Sequence, residues 1–336
     1  MKDGKPPQEK GKAGMNVFAG YDGGGSKTVC ALADNQGTLL GIGQGGPSNY
    51  LFCGEEIARA SMREATRNAF LNANIEQQPL DTVYIGSAAI KMQCGEAHIP
   101  FFRTCCNAKN ILCDSDIRPI WYGAVRDAPA IILIAGTGAI AYMCKKGSLL
   151  RVGGWGPQFG DEGSGYDVGR RAVQEALRMM DGRVPMEPTF ANGVLAFFNA
   201  GDEYELVHGL RRAEDNRSRC ASAAREVVRL WEQGSSAAQR ILRAAAEELA
   251  LAVNAVLDRM NPCDKPVPLV LWGGLLGPES PVGDMLCKTL KSGGSPISEY
   301  IMGEIHPAVA ATALALRAAG LGNAAESLLR NTGRPL

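Results

Sequence analysis

The sequence predicts an α/β fold made of two similar units, each running β-β-β-α-β-α-β. Three observations carry that expectation. An apolar run from Met15 to Tyr21 ends in the cluster Gly23-Gly24-Gly25 and a second β-rich run, VCALAD, follows at once. The same strand, glycine turn, strand pattern returns at IILIAGTGA, Ile131 to Ala139. Each copy then gives way to segments of helical periodicity, so a duplicated architecture with its ligand held between the halves is expected. The chain has 336 residues, length enough for two domains at roughly 150 residues each.

The elements follow in order. Residues 1–15 carry charges and prolines but no apolar core, so they read as a flexible extension and not as a signal peptide. After the first hairpin, Asn35-Gln36-Gly37 marks a turn into a third strand, TLLGIGQGG. Ile57, Ala58, Met62, Ala65, Ala69 and Phe70 recur at helical spacing and predict a helix over 55–73. Residues 82–87 and 110–114 are short β-rich runs suited to parallel strands. In the second half, 131–136 predicts a strand, Lys146-Gly147 the tip of a hairpin, and Ser164 the start of a helix. Helical sequence then runs from Glu203 to about Met260, with Pro262 ending it. A buried strand, PLVLWGG (268–274), and a final alanine-rich helix over about 306–320 complete the chain. The domain boundaries expected are 1–15 for the extension, 16–117 for the first unit with the last helix packing back on it, and 118–305 for the second.

Composition excludes several functions. With 46% hydrophobic and 21% charged residues, and 35 basic against 35 acidic, the chain reads as globular and carries no field that would draw it to nucleic acid or a membrane surface. No segment has the ~20 apolar residues of a membrane span. The ten cysteines show no CxxC pair and only three histidines accompany them, so free thiols in a reducing cytoplasm are expected rather than a zinc site.

Asp22-Gly23-Gly24-Gly25-Ser26-Lys27-Thr28 has the chemistry of a phosphate turn, with backbone N–H groups free of side chains and an acid to hold hydrated Mg²⁺. It is not a P-loop, because Ser26 separates Gly25 from Lys27 and a strand follows. Gly41, Gly43 and Gly46 fit the GxGxxG spacing, but Pro47 and Asn49 follow where a helix should begin. Gly136-Thr137-Gly138 offers a second phosphate turn. Two such turns imply a nucleotide. Asp116, just past the strand at 110–114, can deprotonate an attacking hydroxyl, with Asp114 as a competitor.

DGGGSKT, IAGTGA and GGWGPQFGDEGS, in that order, resemble the BadF/BadG/BcrA/BcrD family of ATPases, in its N-acetylglucosamine kinase branch. The resemblance spans roughly Val17 to Ala176. It implies a two-lobed actin-like (ribonuclease H-like) ATPase fold, with ATP and sugar in the cleft between the lobes. It further implies phosphate contacts from Gly24, Gly25, Ser26, Lys27, Thr137 and Gly138, and adenosine contacts from Gly273 and Gly274. By the same resemblance Asp22 lies on the Mg²⁺ side and Asp116 is the catalytic aspartate, favoured over Asp114 by the small pair Gly123-Ala124 downstream. The resemblance also implies that Ser48, Asn49, Asp116, Gly138 and Asp161 hold the sugar. Ala139 and Pro119-Ile120-Trp121 depart from the usual residues of that branch, at positions bearing on the sugar.

The activity these features imply is ATP-dependent phosphorylation of an amino sugar, N-acetylglucosamine at its 6-hydroxyl first, with glucosamine or N-acetylmuramic acid as alternatives. The family's other branch, ATPase activators of 2-hydroxyacyl-CoA dehydratases or benzoyl-CoA reductases with a cysteine-held iron–sulfur cluster, is the rival class. A sugar-sensing regulator would need a DNA-binding module for which residues 1–16 are too short. Relatives lead us to expect a homodimer.

Overall fold

The computed structural model describes residues 15–332, apart from 92, 147, 213–215, 261–265 and 279. The expected extension thus falls almost wholly outside the described residues, as do Gly147 and Pro262. Two compact units emerge, one of residues up to Pro119 together with those from Ile305 onward, the other of Ile120–Glu304.

In the first unit, β1 (Phe18–Gly23), β2 (Thr28–Ala33) and β3 (Leu39–Gly45) form an antiparallel meander. A short helix α1 (Tyr50–Cys53) and the long α2 (Glu55–Asn72) lead to β4 (Leu80–Ser87). A 3₁₀ turn and α3 (Ile99–Arg103) lead on to β5 (Ala108–Ser115), and α4 (Ile117–Val125) follows. The sheet order is β3-β2-β1-β4-β5, with β4 parallel to both β1 and β5. The carboxyl ends of β1 and β5 therefore point the same way.

Glycines of β3, Gly43 of the GxGxxG spacing among them, have packing roles. A Cβ on Gly43 would lie 2.1 Å from the Ala69 backbone nitrogen, and one on Gly45 would lie 2.2 Å from the Ser61 carbonyl, so β3 is bare where α2 lies on it. The face α2 presents there is small to match: Ala58, Ser61, Ala65 and Ala69 are all buried. The last helices, α11 (Pro307–Ala318) and α12 (Gly322–Thr332), belong to this unit. Where α11 crosses β1, a Cβ on Gly20 would lie 2.0 Å from the Thr312 nitrogen. The Thr312 hydroxyl donates to the Ala31 carbonyl at 3.0 Å.

The second unit repeats the plan. The strands β6 (Ala130–Ala135), β7 (Ala139–Lys145) and β8 (Ser148–Gly153) form the meander, and β9 (Val267–Trp272) and β10 (Ile297–Met302) add in parallel. The order β8-β7-β6-β9-β10 matches the first sheet strand for strand. Its helices are α5 (Gly165–Met180), α6 (Pro188–Phe198), α7 (Glu203–Arg212), α8 (Asn216–Glu232), α9 (Ser236–Arg259) and α10 (Pro281–Ser292).

Several expectations need correction. The helical run from Glu203 to about Met260 is three helices, and α8 and α9 are separate because Gly234 takes a left-handed φ of +86° and Ser235 caps α9 by accepting from the Ala238 N–H. The sequence places no helix at α6, α10 or α12 and no strand at β10, although the repeated plan calls for a fifth strand with a helix before it. A helix, the short α1, does begin after Gly41, Gly43 and Gly46, with Asn49 at its N-cap position. No described helix is long and apolar enough to cross a membrane.

Candidate active site

In the first unit the glycine turn closes the β1–β2 hairpin. Gly23 pairs with Thr28, and the Gly24 N–H donates to the Lys27 carbonyl at 3.0 Å. That N–H is thus committed within the turn, while Gly25, Ser26 and Lys27 stand exposed. The Gly24 carbonyl accepts from the Ser48 and Asn49 N–H groups, each at 3.1 Å, which docks the loop after β3 onto the turn. Beyond Asn49, the Tyr50 hydroxyl is hydrogen-bonded to His98 Nδ1 and the Tyr50 ring lies 4.4 Å from that of Phe101, so the segment is held from both sides. Asn49 is buried and makes no capping bond; its Oδ1 has no hydrogen-bond partner.

Asp22, half-buried at the end of β1, pairs in register with Gly86 of β4, which pairs in turn with Asp114 of β5. Asp114 Oδ1 already accepts from the Gln93 and Ser115 N–H groups at 2.8 and 2.7 Å. Asp116 has one side-chain donor, the Ser115 hydroxyl at 3.1 Å on Oδ1, and its N–H donates to the Ser87 carbonyl. Burial pushes the Asp22 carboxyl up to about 7, aided by the negative charge of Asp116 and opposed by Lys27. Burial raises Asp116 as well, against the Ser115 hydrogen bond. His306, accepting from the Ala308 N–H at the start of α11, is pulled down to about 4 by burial and the nearby Lys27 charge.

These paired carboxylates suit a hard cation. Each is held above its ordinary range by burial, and Asp22 further by the charge of Asp116, so a divalent ion would relieve both. No cluster of three or more His, Cys, Asp or Glu that could hold a metal occurs among the described residues, so water and phosphate oxygens would complete the shell, as Mg²⁺ usually requires.

In the second unit, Gly136-Thr137-Gly138 joins β6 to β7, with the Gly136 N–H donating to the Gly138 carbonyl at 2.9 Å. The first N–H groups of α5 are spent on the same turn, Gly165 on the Gly136 carbonyl at 2.8 Å and Tyr166 on the Thr137 carbonyl at 3.3 Å. Gly273, at φ +110°, lies where a Cβ would meet the Ala135 carbonyl at 2.4 Å, and the Leu275 N–H donates to that carbonyl. The 273–274 pair therefore abuts the strand that feeds the Gly136-Thr137-Gly138 turn. Asp161, in a left-handed conformation with φ +62°, is buried against the turn, and its Oδ1 accepts from the Ala139 N–H at 3.4 Å. Trp155 and Phe159 of the same glycine-rich loop are 67% and 81% exposed, so core packing does not account for them.

The profile of the BadF/BadG/BcrA/BcrD ATPase family matches residues 19–315. The chain belongs to this ATPase family. It is 31% identical over 265 residues to an N-acetylmuramic acid/N-acetylglucosamine kinase of Clostridium acetobutylicum, spanning 78% of this chain and 86% of that one. It is 24% identical over 316 residues to an N-acetyl-D-glucosamine kinase of Dictyostelium discoideum, 89% and 98% of the two chains. A solved structure from Chromobacterium violaceum, provisionally assigned as an N-acetylglucosamine kinase, superposes with a TM-score of 0.72 at 27% identity, over 90% of this chain and 99% of that one. The fold is the α/β actin-like ATPase fold that the motifs implied.

Within this family member, the structure brings Asp22, Gly24, Ser48 and Asn49 together on one turn, and Gly138 and Asp161 on another. Sequence reasoning missed Arg217. Its Nη2 reaches Asp161 Oδ2 at 2.8 Å from 56 residues away, and no local pattern signals such a pairing.

Proposed function

We propose that this ATPase-family chain transfers the γ-phosphoryl group of ATP to a hydroxyl of an amino sugar, the 6-hydroxyl of N-acetylglucosamine foremost. The observation that carries the reading is Asn49 Oδ1, a buried acceptor without a donor, fixed beside the glycine turn. Buried polar atoms seldom go unpaired, so a ligand hydroxyl or amide N–H is the donor it awaits. The names of both kinase relatives favour the same substrate class.

Asp116 acts as the base, its raised pKa suiting proton capture better than that of an ordinary carboxylate. It accepts the hydroxyl proton as the sugar oxygen bonds to the γ-phosphorus, and the electron pair of the broken β,γ P–O bond leaves with ADP. Asp114, occupied by two backbone donors, is the weaker candidate. Asp22 would hold Mg²⁺, which when bound would supply charge neutralisation on the phosphates. Gly25, Ser26, Lys27, Thr137 and Gly138 line the phosphates, with Gly24 shaping its turn; Gly273 and Gly274 face the adenosine, and Ser48, Asn49, Gly138 and Asp161 orient the sugar. The nine described cysteines are free thiols, which suits a reducing cytoplasm.

One relative's name adds N-acetylmuramic acid as a second substrate to weigh. The deciding experiment is a coupled assay of ADP release with Mg-ATP and N-acetylglucosamine, glucosamine, N-acetylmuramic acid, N-acetylmannosamine or glucose. Sugar-dependent release, greatest with an N-acetylated sugar, is expected. Equal release with and without every sugar would overturn the reading.

A further inference from the structure

Arg217 stands in the first turn of α8, directly against the second phosphate turn. A Cβ placed on Gly138 would lie 2.9 Å from Asp161 Oδ2 and 3.0 Å from Arg217 Nη2, so no side chain separates the guanidinium from the backbone there. Asp161 is the single hydrogen-bonding partner of Arg217 among the described residues. The two side chains differ sharply in exposure, 4% for Asp161 and 44% for Arg217. A guanidinium carries five N–H donors in a fixed fork, and a lone contact to Asp161 leaves most of them free on the exposed side.

A partly buried ion pair is by itself a poor device for stability, because desolvating the carboxylate offsets much of the attraction. Here the carboxylate also sits in a left-handed conformation that non-glycine residues seldom adopt. The pair therefore makes better sense as a mount. It fixes a long flexible side chain over an anion turn, so that less rotamer freedom is lost when an anion arrives.

We propose that Arg217 grips the terminal phosphate of the nucleotide at Gly136-Thr137-Gly138, held in place by Asp161. This rests on the kinase reading above. The ligand it recognises is the dianionic end group of a nucleoside triphosphate, which planar guanidinium forks bind in bidentate fashion.

The test is calorimetric titration of the full chain, in the presence of Mg²⁺, with the non-hydrolysable triphosphate AMP-PNP and with AMP. Arg217→Gln is expected to weaken AMP-PNP binding by roughly tenfold or more and AMP binding by less than about twofold. Arg217→Lys, which keeps the charge and protects folding, is expected to fall between wild type and Arg217→Gln for AMP-PNP. If Arg217 serves only to neutralise Asp161, the double variant Asp161→Asn/Arg217→Gln removes both charges and recovers wild-type AMP-PNP affinity, which would overturn the inference. Equal losses for AMP-PNP and AMP would overturn it too, leaving the kinase reading intact. Failure of the wild-type chain to bind AMP-PNP at all would overturn both.

Discussion

Asp22 and Asp116 are two carboxylates whose burial works against their charge, and that sets the pH response of the fold. With a folded pKa of about 7 against an ordinary 3.8, Asp22 holds its proton in the folded state through a window where the unfolded chain has lost it. Folding stability from this group is thus greatest below about pH 4, falls as pH rises, and is fully lost above about pH 7. Asp22→Asn should therefore melt at nearly the wild-type temperature at pH 4.5 and above it at pH 8, the gap bounded by ~4 kcal/mol for a shift of about three units. His306 has the opposite trend, stabilising above its ordinary 6.5 and losing that stability toward pH 4, but it is present in both proteins and drops out of the difference. Melting curves at both pH values check this, and a gap independent of pH would remove the claim. Asp116→Asn should lower kcat by about 10²–10⁴-fold while sugar affinity stays within about twofold, since the amide keeps the shape and loses the base. At this scale the glycine turn and the strand end name Asp22 and Asp116 as candidates, whereas Asn49 is a candidate only through the family resemblance. Arg217 was illegible because only the folded chain carries α8 to Asp161.

The elements owe their positions to missing side chains as much as to apolar ones. Gly20 lets α11 lie on β1, and Gly41, Gly43 and Gly45 let α2 lie on β3. Gly20→Val should destabilise the chain by ~3 kcal/mol or more, beyond the usual cost of overpacking, since its first added carbon falls far inside van der Waals contact with the α11 backbone. Urea unfolding measures that loss; an unchanged midpoint would mean that α11 can shift without penalty. The meander of β1 to β3 is readable from apolar runs parted by turn residues, and the helix α2 from 3.6-residue periodicity. The break between α8 and α9 is encoded by Gly234-Ser235, a stop followed by a cap, whose signal is masked by the alanine-rich helical sequence around it. Strand β10 gave little signal, since it is a half-exposed edge strand with no buried residue.

At the scale of the molecule, the repeated order of two five-stranded sheets puts a glycine turn after the first strand of each. Duplication was legible as a pattern of turns, whereas the return of α11 and α12 to the first unit rests on contacts between distant parts of the chain. A chain ending at Glu304 should lose hydrogen-exchange protection throughout β1 and β4 while keeping it in β6 and β9. Equal protection in all four strands would show that the last helices are dispensable to the first sheet.

That arrangement bears on how the protein is made. The residues that cover β1 at Gly20 are made only after the whole of the second unit, whereas everything the second unit needs is contiguous. Folding during synthesis should thus run against the usual order, with the later-translated unit finished first and the first sheet waiting, one apolar face uncovered, until α11 has been made. During that interval the nascent chain is the form most in need of a chaperone.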